Sequence, residues 1–492
     1  MSLIDVSNLT FSYDGGYKDI FSNVSFKLDT DWRLGLVGRN GRGKTTLLKL
    51  LMGEYEYRGR ISTNVKFTYF PYEIKDKSRL TCEVLSEICP CAEEWKIARE
   101  LRLLKLDIDA LYRPYDTLSS GEQIKAAIAG LFLNEGDYLL IDEPTNHLDA
   151  EARDAVAKYL RSKKGYIIVS HDRAFLDACV DHIISINKSD IEVRSGNFSV
   201  YLDNFNLRQS FEIARDEKLK KDIARLSEAA RRTADWADKT EASKYGKASS
   251  GLRQDKGYVG HKAAKMMQRS KAALSRKQRA IEEKSELMHN VEDNPTLAIY
   301  SAGSGCERLL TITDLGVRYG DKTVCSHFNL EISRGERIAI SGRNGCGKSS
   351  VLKLIAGEDI EHTGLIRGMP NLKVSYVPQT TKGLSGSLSE IALSYGVDES
   401  LFKAMLSKMN FNKADFDSNA EQLSEGQKKK LLVARSLCER AHLYVWDEPL
   451  NYIDVFTRMQ IEDMLKEADI TLIFVEHDKA FRQSIATRII DM

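Results

Sequence analysis

Short apolar runs that stop abruptly at glycine, acid or histidine punctuate both ends of the chain. Arg33-Leu34-Gly35-Leu36-Val37 leads into a glycine-rich loop, and Tyr138-Leu139-Leu140-Ile141 leads into Asp142-Glu143. Tyr166-Ile167-Ile168-Val169 leads into Ser170-His171-Asp172. Arg337-Ile338-Ala339-Ile340 precedes a second glycine-rich loop. His442-Leu443-Tyr444-Val445-Trp446 precedes Asp447-Glu448, and Leu472-Ile473-Phe474-Val475 precedes Glu476-His477-Asp478. Runs this short and this apolar predict strands buried in an open parallel sheet. Polar groups at the carboxyl ends of such strands are where an α/β sheet holds its ligands. The helical run Thr46-Leu47-Leu48-Lys49-Leu50-Leu51 after the first loop completes a strand-loop-helix unit.

The middle of the chain reads differently. Residues 206–292 hold no strand-like run and no proline, and are rich in Ala, Lys, Arg and Glu, which favour helix. Ile213, Leu219, Ile223, Leu226 and Ala230 form one loose helical stripe, and Met266, Met267, Leu274, Ile281 and Leu287 another. Between them, Gly246, Ser249-Ser250-Gly251, Gly257 and Gly260 break the pattern. The prediction is an αα-hairpin with its tip at about 243–260. A helix over 206–244 is roughly 58 Å long at 1.5 Å per residue, enough to project beyond a compact domain.

The chemistry appears twice. Gly38-Arg39-Asn40-Gly41-Arg42-Gly43-Lys44-Thr45 recurs as Gly342-Arg343-Asn344-Gly345-Cys346-Gly347-Lys348-Ser349, both fitting the phosphate-loop pattern. In such loops backbone N–H groups and the following helix N-terminus surround phosphates. The candidate nucleotide ligands are therefore Gly38, Asn40, Gly41, Gly43, Lys44, Thr45 and Thr46, and Gly342, Asn344, Gly345, Gly347, Lys348, Ser349 and Ser350. Lys44 and Lys348 are expected on the β- and γ-phosphates of ATP, and Thr45 and Ser349 on Mg²⁺, with Asp142 and Asp447 holding that ion through water. Glu143 and Glu448 follow directly and are placed to polarise the attacking water. His171 and His477 are placed to contact the γ-phosphate and sense its loss. A histidine at a strand end is more often structural, but the order Asp-Glu then His occurs in both halves.

The fold class expected is α/β: two tandem phosphate-loop ATPase domains joined by a long helical hairpin. The expected limits are 1–205, 206–295 and 296–492. The chain has 492 residues and a net charge of +1, which hides an asymmetry. Between Lys239 and Arg279 there are twelve basic residues and two acids, so this stretch is +10 and the rest −9. Trp236, Tyr245, Tyr258 and His261 lie in or beside it. A basic helical arm with interleaved aromatics suits a nucleic-acid backbone with some base stacking. A solvated coiled coil is the plainer alternative, disfavoured because such a helix pair mixes charge signs. No run of about 18 apolar residues suggests a membrane span. Met1-Ser2-Leu3-Ile4-Asp5 lacks the pattern of a signal peptide, so a cytoplasmic protein is expected. The eight scattered cysteines read as reduced, mostly buried thiols; Cys89-Pro90-Cys91 is the closest pair for any metal or redox role.

Leu118-Ser119-Ser120-Gly121-Glu122-Gln123 and Leu423-Ser424-Glu425-Gly426-Gln427 resemble the signature motif of ATP-binding-cassette (ABC) ATPases. Asn146-His147-Leu148-Asp149 resembles their D-loop. The resemblance implies that Tyr13 and Tyr319 stack on adenine and that Gln379, in Tyr376-Val377-Pro378-Gln379, is the Q-loop glutamine beside Mg²⁺. It also implies a head-to-tail intramolecular pair. Lys44 would face Ser424 and Gly426, Lys348 would face Ser119 and Gly121, and ATP would join the halves until its hydrolysis lets them part.

Two cassettes, no membrane domain and a basic hairpin between them resemble the ABC-F family, ATPases that act on ribosomes. Asp447-Glu448-Pro449-Leu450-Asn451-Tyr452-Ile453-Asp454, Tyr69-Phe70-Pro71-Tyr72-Glu73 and His261-Lys262-Ala263-Ala264-Lys265-Met266-Met267 resemble its antibiotic-resistance branch. About 45 residues separate Tyr72 from the first signature, too few for the arm insertion of several housekeeping relatives. The branch implies a ribosome-protection factor that enters the E site, displaces P-site transfer RNA and rearranges large-subunit ribosomal RNA, so that lincosamides, pleuromutilins or streptogramin A compounds leave. Tyr72 departs from the pattern where a first Q-loop glutamine is expected, and Ser120 and Glu425 replace signature glycines, so the two sites are expected to be unequal. A housekeeping ABC-F translation factor, a motor subunit of a separate membrane transporter and a DNA-bound ABC ATPase are the alternatives.

Overall fold

Each cassette builds two sheets, and the apolar runs form the inner one. The computed structural model describes residues 2–13, 19–134, 136–146, 148–187, 190–242, 275, 306–320, 322–409, 411 and 413–492. The first cassette contributes β1 (Leu3–Phe11), β2 (Phe21–Asp29), β3 (Arg33–Gly38), β4 (Arg58–Ser62), β5 (Lys66–Phe70), β6 (Asp137–Asp142), β7 (Tyr166–Val169), β8 (His182–Ile186) and β9 (Ile191–Ser195). Its outer sheet is antiparallel, ordered β2-β1-β4. Its inner sheet is ordered β5-β6-β7-β3-β8-β9 and is parallel up to the antiparallel β9. Leu34, Leu140, Ile167 and Ile184 are buried along its length, which is why the runs are nearly all apolar.

The second cassette repeats the plan with β10 (Arg308–Tyr319), β11 (Lys322–Ser333), β12 (Arg337–Ser341), β13 (His362–Gly368), β14 (Val374–Val377), β15 (Leu443–Asp447), β16 (Leu472–Val475) and β17 (Arg488–Asp491). The orders are β11-β10-β13 and β14-β15-β16-β12-β17, the latter parallel. In both inner sheets the phosphate-loop strand lies off the sequential order, so the ends of β3, β6 and β7, and of β12, β15 and β16, converge at one crevice. Trp446 is fully buried at the end of β15 and bonds Ser436 of the helix Glu425–Cys438 through its indole N–H at 2.9 Å.

Contacts divide the chain into two units, Met1–Tyr201 with Pro295–Met492, and Leu202–Asn294. Both cassettes belong to the first. The helix after β9 spans Phe198–Ala242, about 68 Å at 1.5 Å per residue. It starts eight residues before Asn206 because its first turn is anchored. Phe198 and Tyr201 are buried, Tyr201 Oη lies 2.8 Å from Ser185 Oγ, and Asp177 accepts from Ser199 N at 2.7 Å. The tip at 243–260, the Met266–Leu287 stripe and the 261–267 run lie outside the described residues. No helix among the described residues is long and apolar enough to cross a membrane. All eight cysteines are free, but only Cys89, Cys179 and Cys438 are buried, so most do not have the burial expected of them.

Candidate functional site

The phosphate loops turn where only glycine is at ease. Gly41 and Gly43 have φ of 77° and 88°, and Gly345 and Gly347 82° and 102°. The loops lead into helices Lys44–Met52 and Lys348–Ile355. Lys44 Nζ donates to Gly38 O at 2.8 Å and Arg39 O at 3.3 Å, and Lys348 Nζ to Gly342 O and Arg343 O at 2.9 and 2.8 Å. Each lysine therefore lies folded across its own loop, over the space the loop amides enclose. Tyr13 Oη lies 2.9 Å from Thr46 Oγ1 and Tyr319 Oη 3.1 Å from Ser350 Oγ, which fixes a half-exposed ring beside each loop.

Behind each lysine sits the Asp-Glu pair. Thr45 Oγ1 donates to Asp142 Oδ2 at 2.8 Å, and Tyr69 Oη donates to the same oxygen at 3.0 Å. Asp447 is fully buried, and neither carboxylate oxygen has a hydrogen-bond partner among the described residues. Burial pushes its carboxyl up to about 6. The Ser349 hydroxyl and the Lys348 ammonium lie near enough to work against that rise, and a buried carboxylate with so little direct pairing beside a hydroxyl is a donor set that fits a hard divalent cation.

Glu143 and Glu448 both adopt left-handed backbone, with φ of 51° and 46°. Each N–H donates to the neighbouring strand, Glu143 N to Val169 O at 2.9 Å and Glu448 N to Val475 O at 3.0 Å. Strain of this kind persists where the surroundings impose it, often at functional sites. His171 Nε2 lies 3.2 Å from Glu143 Oε1, and His477 Nε2 3.4 Å from Glu448 Oε1. The two carboxyls differ. Burial, helped by the Asp142 charge, pushes Glu143 up to about 8. Burial would raise Glu448 too, but hydrogen bonds from His477, Gln379 and Asn451 hold it down to about 2. His171 is pushed well below its usual range by burial and by the nearby Lys44 and Arg458 cations.

The cassettes meet head to tail. Asn40 Nδ2 donates to Tyr452 O at 2.7 Å, and Asn40 N reaches Asp454 Oδ2 at 3.5 Å. Asp454 is buried and paired with Lys430 at 2.9 Å. Gly426 lies against the same amide: a Cβ there would stand 2.9 Å from Asn40 Nδ2. Ser424 caps the helix Glu425–Cys438 that starts there. On the other side a cavity of about 290 Å³ is lined by Asn344, Gly345, Lys348, Ser349, Gln379, Glu448, Asn451 and His477, and by Ser120 and Arg153 of the first cassette. Ser119 and Gly121 flank Ser120, but Ser120 itself lines the cavity. Arg173–Glu462 and Lys479–Asp154, both 2.6 Å, and Arg343–Glu151 at 3.6 Å add ion pairs across the interface.

Sequence reasoning missed Arg153 and its counterpart Arg458. Each follows the D-loop aspartate by four residues, bonds the D-loop carbonyl of Leu148 or Ile453, and pairs with Asp172 or Asp478. The repeated Asp-x-x-x-Arg spacing was a usable signal. His147 lies outside the described residues.

A family model described as ABC transporter matches residues 21–146 and 325–451. This chain belongs to the ABC ATPase family. Within it the chain is an ABC-F ATPase. It is 30% identical over 488 residues to the ATP-binding protein Uup of Caulobacter vibrioides, covering 96% of this chain and 74% of Uup. It is 26% identical to the ribosome protection protein VmlR of Bacillus subtilis, covering 96% and 83%. It is 26% identical to the energy-dependent translational throttle protein EttA of Escherichia coli, covering 96% and 89%. In fold, this ABC-F ATPase is similar to archaeal aABCE1, a ribosome recycling factor solved in complex with the ribosomal stalk protein aP1. The TM-score is 0.63 at 20% identity, covering 98% and 87%.

Proposed function

We propose that this ABC-F ATPase is a ribosome-protection factor that acts in the cytoplasm as a monomer. ATP held between Lys44 and the Ser424–Gly426 signature, and between Lys348 and the Ser119–Gly121 signature, keeps the cassettes closed. The closed form enters the ribosomal E site. The basic linker reaches toward the peptidyl-transferase centre, meets large-subunit ribosomal RNA and P-site transfer RNA, and dislodges lincosamide, pleuromutilin or streptogramin A drugs. Glu143 and Glu448 orient water for attack on the γ-phosphate, with His171 and His477 holding them. Mg²⁺, which would neutralise phosphate charge, fits Thr45 and Asp142 in one site and Ser349, Asp447 and Gln379 in the other.

The observation that carries this reading is the closure of Asn40 on Tyr452. Tyr452 belongs to the Asp447–Asp454 run that resembles the resistance branch, and it sits at the joint between the cassettes. VmlR, a ribosome protection protein by name, matches over nearly the whole chain. EttA matches at the same identity, which keeps a housekeeping translation factor as the second reading.

A growth-inhibition panel in a drug-sensitive host separates the two. Expression of the chain should raise tolerance to at least one of the three drug classes, and the Glu143→Gln/Glu448→Gln chain should not. Unchanged tolerance throughout, with ribosome binding intact, leaves the housekeeping role.

A further inference from the structure

The helix Glu425–Cys438 starts at one nucleotide site and, a turn later, grips the other. Its Gly426 abuts Asn40 in the phosphate loop of the first cassette. Three residues on, about 4.5 Å along the axis, Lys429 is fully buried. Lys429 Nζ donates to Pro378 O at 2.9 Å and to Glu448 O at 3.0 Å. Glu448 lines the Lys348 cavity, as does Gln379, the residue after Pro378. One ammonium thus ties the main chain of both groups to the helix that closes on the opposite site. Burial works against the charge of this ammonium, and Asp447, Glu448, Glu476 and Glu425 lie near enough to offset part of that cost.

The arrangement is one-sided. With Ser119 set against Ser424, Ile124 stands where Lys429 does, and isoleucine has no donor. The matching helix of the first cassette, Ser120–Leu131, cannot hold Glu143 in this way.

We propose that Lys429 is a positioning residue that transmits closure over the Lys44 nucleotide to Glu448 and Gln379, coupling the two sites in that direction alone. When ATP draws Ser424 and Gly426 onto the first phosphate loop, the carbonyls of Glu448 and Pro378 follow through the lysine. Hydrolysis at the Lys348 site then waits on occupancy of the Lys44 site. The proposal rests on Glu143 and Glu448 being the water-orienting groups.

The test uses full-length single-site chains. Glu143→Gln leaves turnover to Glu448, and Glu448→Gln leaves it to Glu143. Adding Lys429→Met to the first should lower kcat about tenfold or more with KM for ATP within about twofold, a split that marks lost alignment and not lost binding. Lys429→Arg should recover most of that loss. In the Glu448→Gln chain, Lys429→Met should change kcat by less than about threefold. Ser424→Ala should slow the Glu448 site when Lys429 is present and add nothing once it is Met, the non-additivity of residues acting as one unit. Equal losses in both single-site chains, no loss in either, or additive Ser424 and Lys429 effects overturn the proposal. Lys429→Ile, which copies the first cassette, gives the same readout should the Met variant fold poorly. Turnover surviving in Glu143→Gln/Glu448→Gln would instead strike the assignment of the glutamates, and this proposal with it.

Discussion

The side-chain amide of Asn40 donates to the main-chain carbonyl of Tyr452 at 2.7 Å, so a phosphate loop in one cassette is latched to the D-loop run of the other. The same side chain accepts from Lys44 Nζ at 3.3 Å. Asn40 therefore couples nucleotide-binding lysine and cassette contact in one residue. Asn40→Ala should weaken closure over the Lys44 site by about 1–2 kcal/mol, the worth of a half-buried hydrogen bond whose partner is left unmet. In the Glu448→Gln chain this appears as a KM for ATP raised roughly 5- to 30-fold. An unchanged KM would mean that the latch does not contribute to ATP-bound closure.

The two signature glycines are predicted to differ. A Cβ at Gly426 would meet Tyr452 O at 2.6 Å and Asn40 Nδ2 at 2.9 Å, so the latch must move to admit it. A Cβ at Gly121 meets only Leu148 Cδ2 at 3.5 Å, an ordinary contact. Gly426→Ala should reduce ATPase activity roughly 10- to 100-fold and Gly121→Ala less than about threefold, since packed interiors transmit even a methyl-sized clash. Side-by-side steady-state assays decide it, and a larger loss at Gly121 would contradict this packing.

Replacing both glutamates should hold the chain in its ATP-bound form. Glu143 and Glu448 each sit on a strained turn with a histidine behind, and neither contacts its own phosphate-loop lysine by a direct hydrogen bond among those described. Glu143→Gln/Glu448→Gln should leave ATP affinity within about threefold while abolishing turnover, as expected when a group acts only in the transition state. With ATP, this chain should co-sediment with ribosomes through a sucrose gradient. Sedimentation free of ribosomes would exclude the proposed mechanism.

Local features were legible and long-range pairings were not. The strand runs, phosphate loops and Asp-Glu pairs each occupy a few consecutive residues, and their chemistry depends on that spacing. Tyr166–Val169 and Leu472–Val475 are strands over the predicted residues. The interface is another matter: Asn40 and Tyr452 are 412 positions apart, and no local pattern says that one carbonyl will meet that amide. Nothing in the run Lys428-Lys429-Lys430 distinguishes one lysine from the next, yet Lys429 and Lys430 are buried and bonded in different directions. The early start of the long helix has no local signal, because the partners that anchor its first turn, Ser185 of β8 and Asp177, lie elsewhere in the chain.

A buried carboxylate outside the nucleotide-site residues sets an acid limit on the first cassette. Glu100, on the helix Glu94–Leu103, is 1% exposed. It accepts from Lys163 Nζ at 2.6 Å, Tyr159 Oη at 2.7 Å and Arg99 at 3.0 Å, joining that helix to Ala150–Ser162 and its C-terminal flank. Burial alone would raise its pKa, but these three donors hold it below the ordinary value. A carboxyl depressed in the folded state gives stability that is present above its unfolded pKa of about 4.3 and lost as pH falls through the folded value. Glu100→Gln keeps the shape and removes the charge, so it should destabilise the cassette by about 1–3 kcal/mol at neutral pH. At about 2–4 °C per kcal/mol for a domain of this size, thermal unfolding at pH 7 resolves the difference. The gap between the two chains should begin to shrink as pH drops below the unfolded pKa of about 4.3, and close once the folded wild-type carboxyl, held lower by its three donors, is also protonated. A gap that stays constant or widens in acid would show that Glu100 stabilises by packing and not by charge.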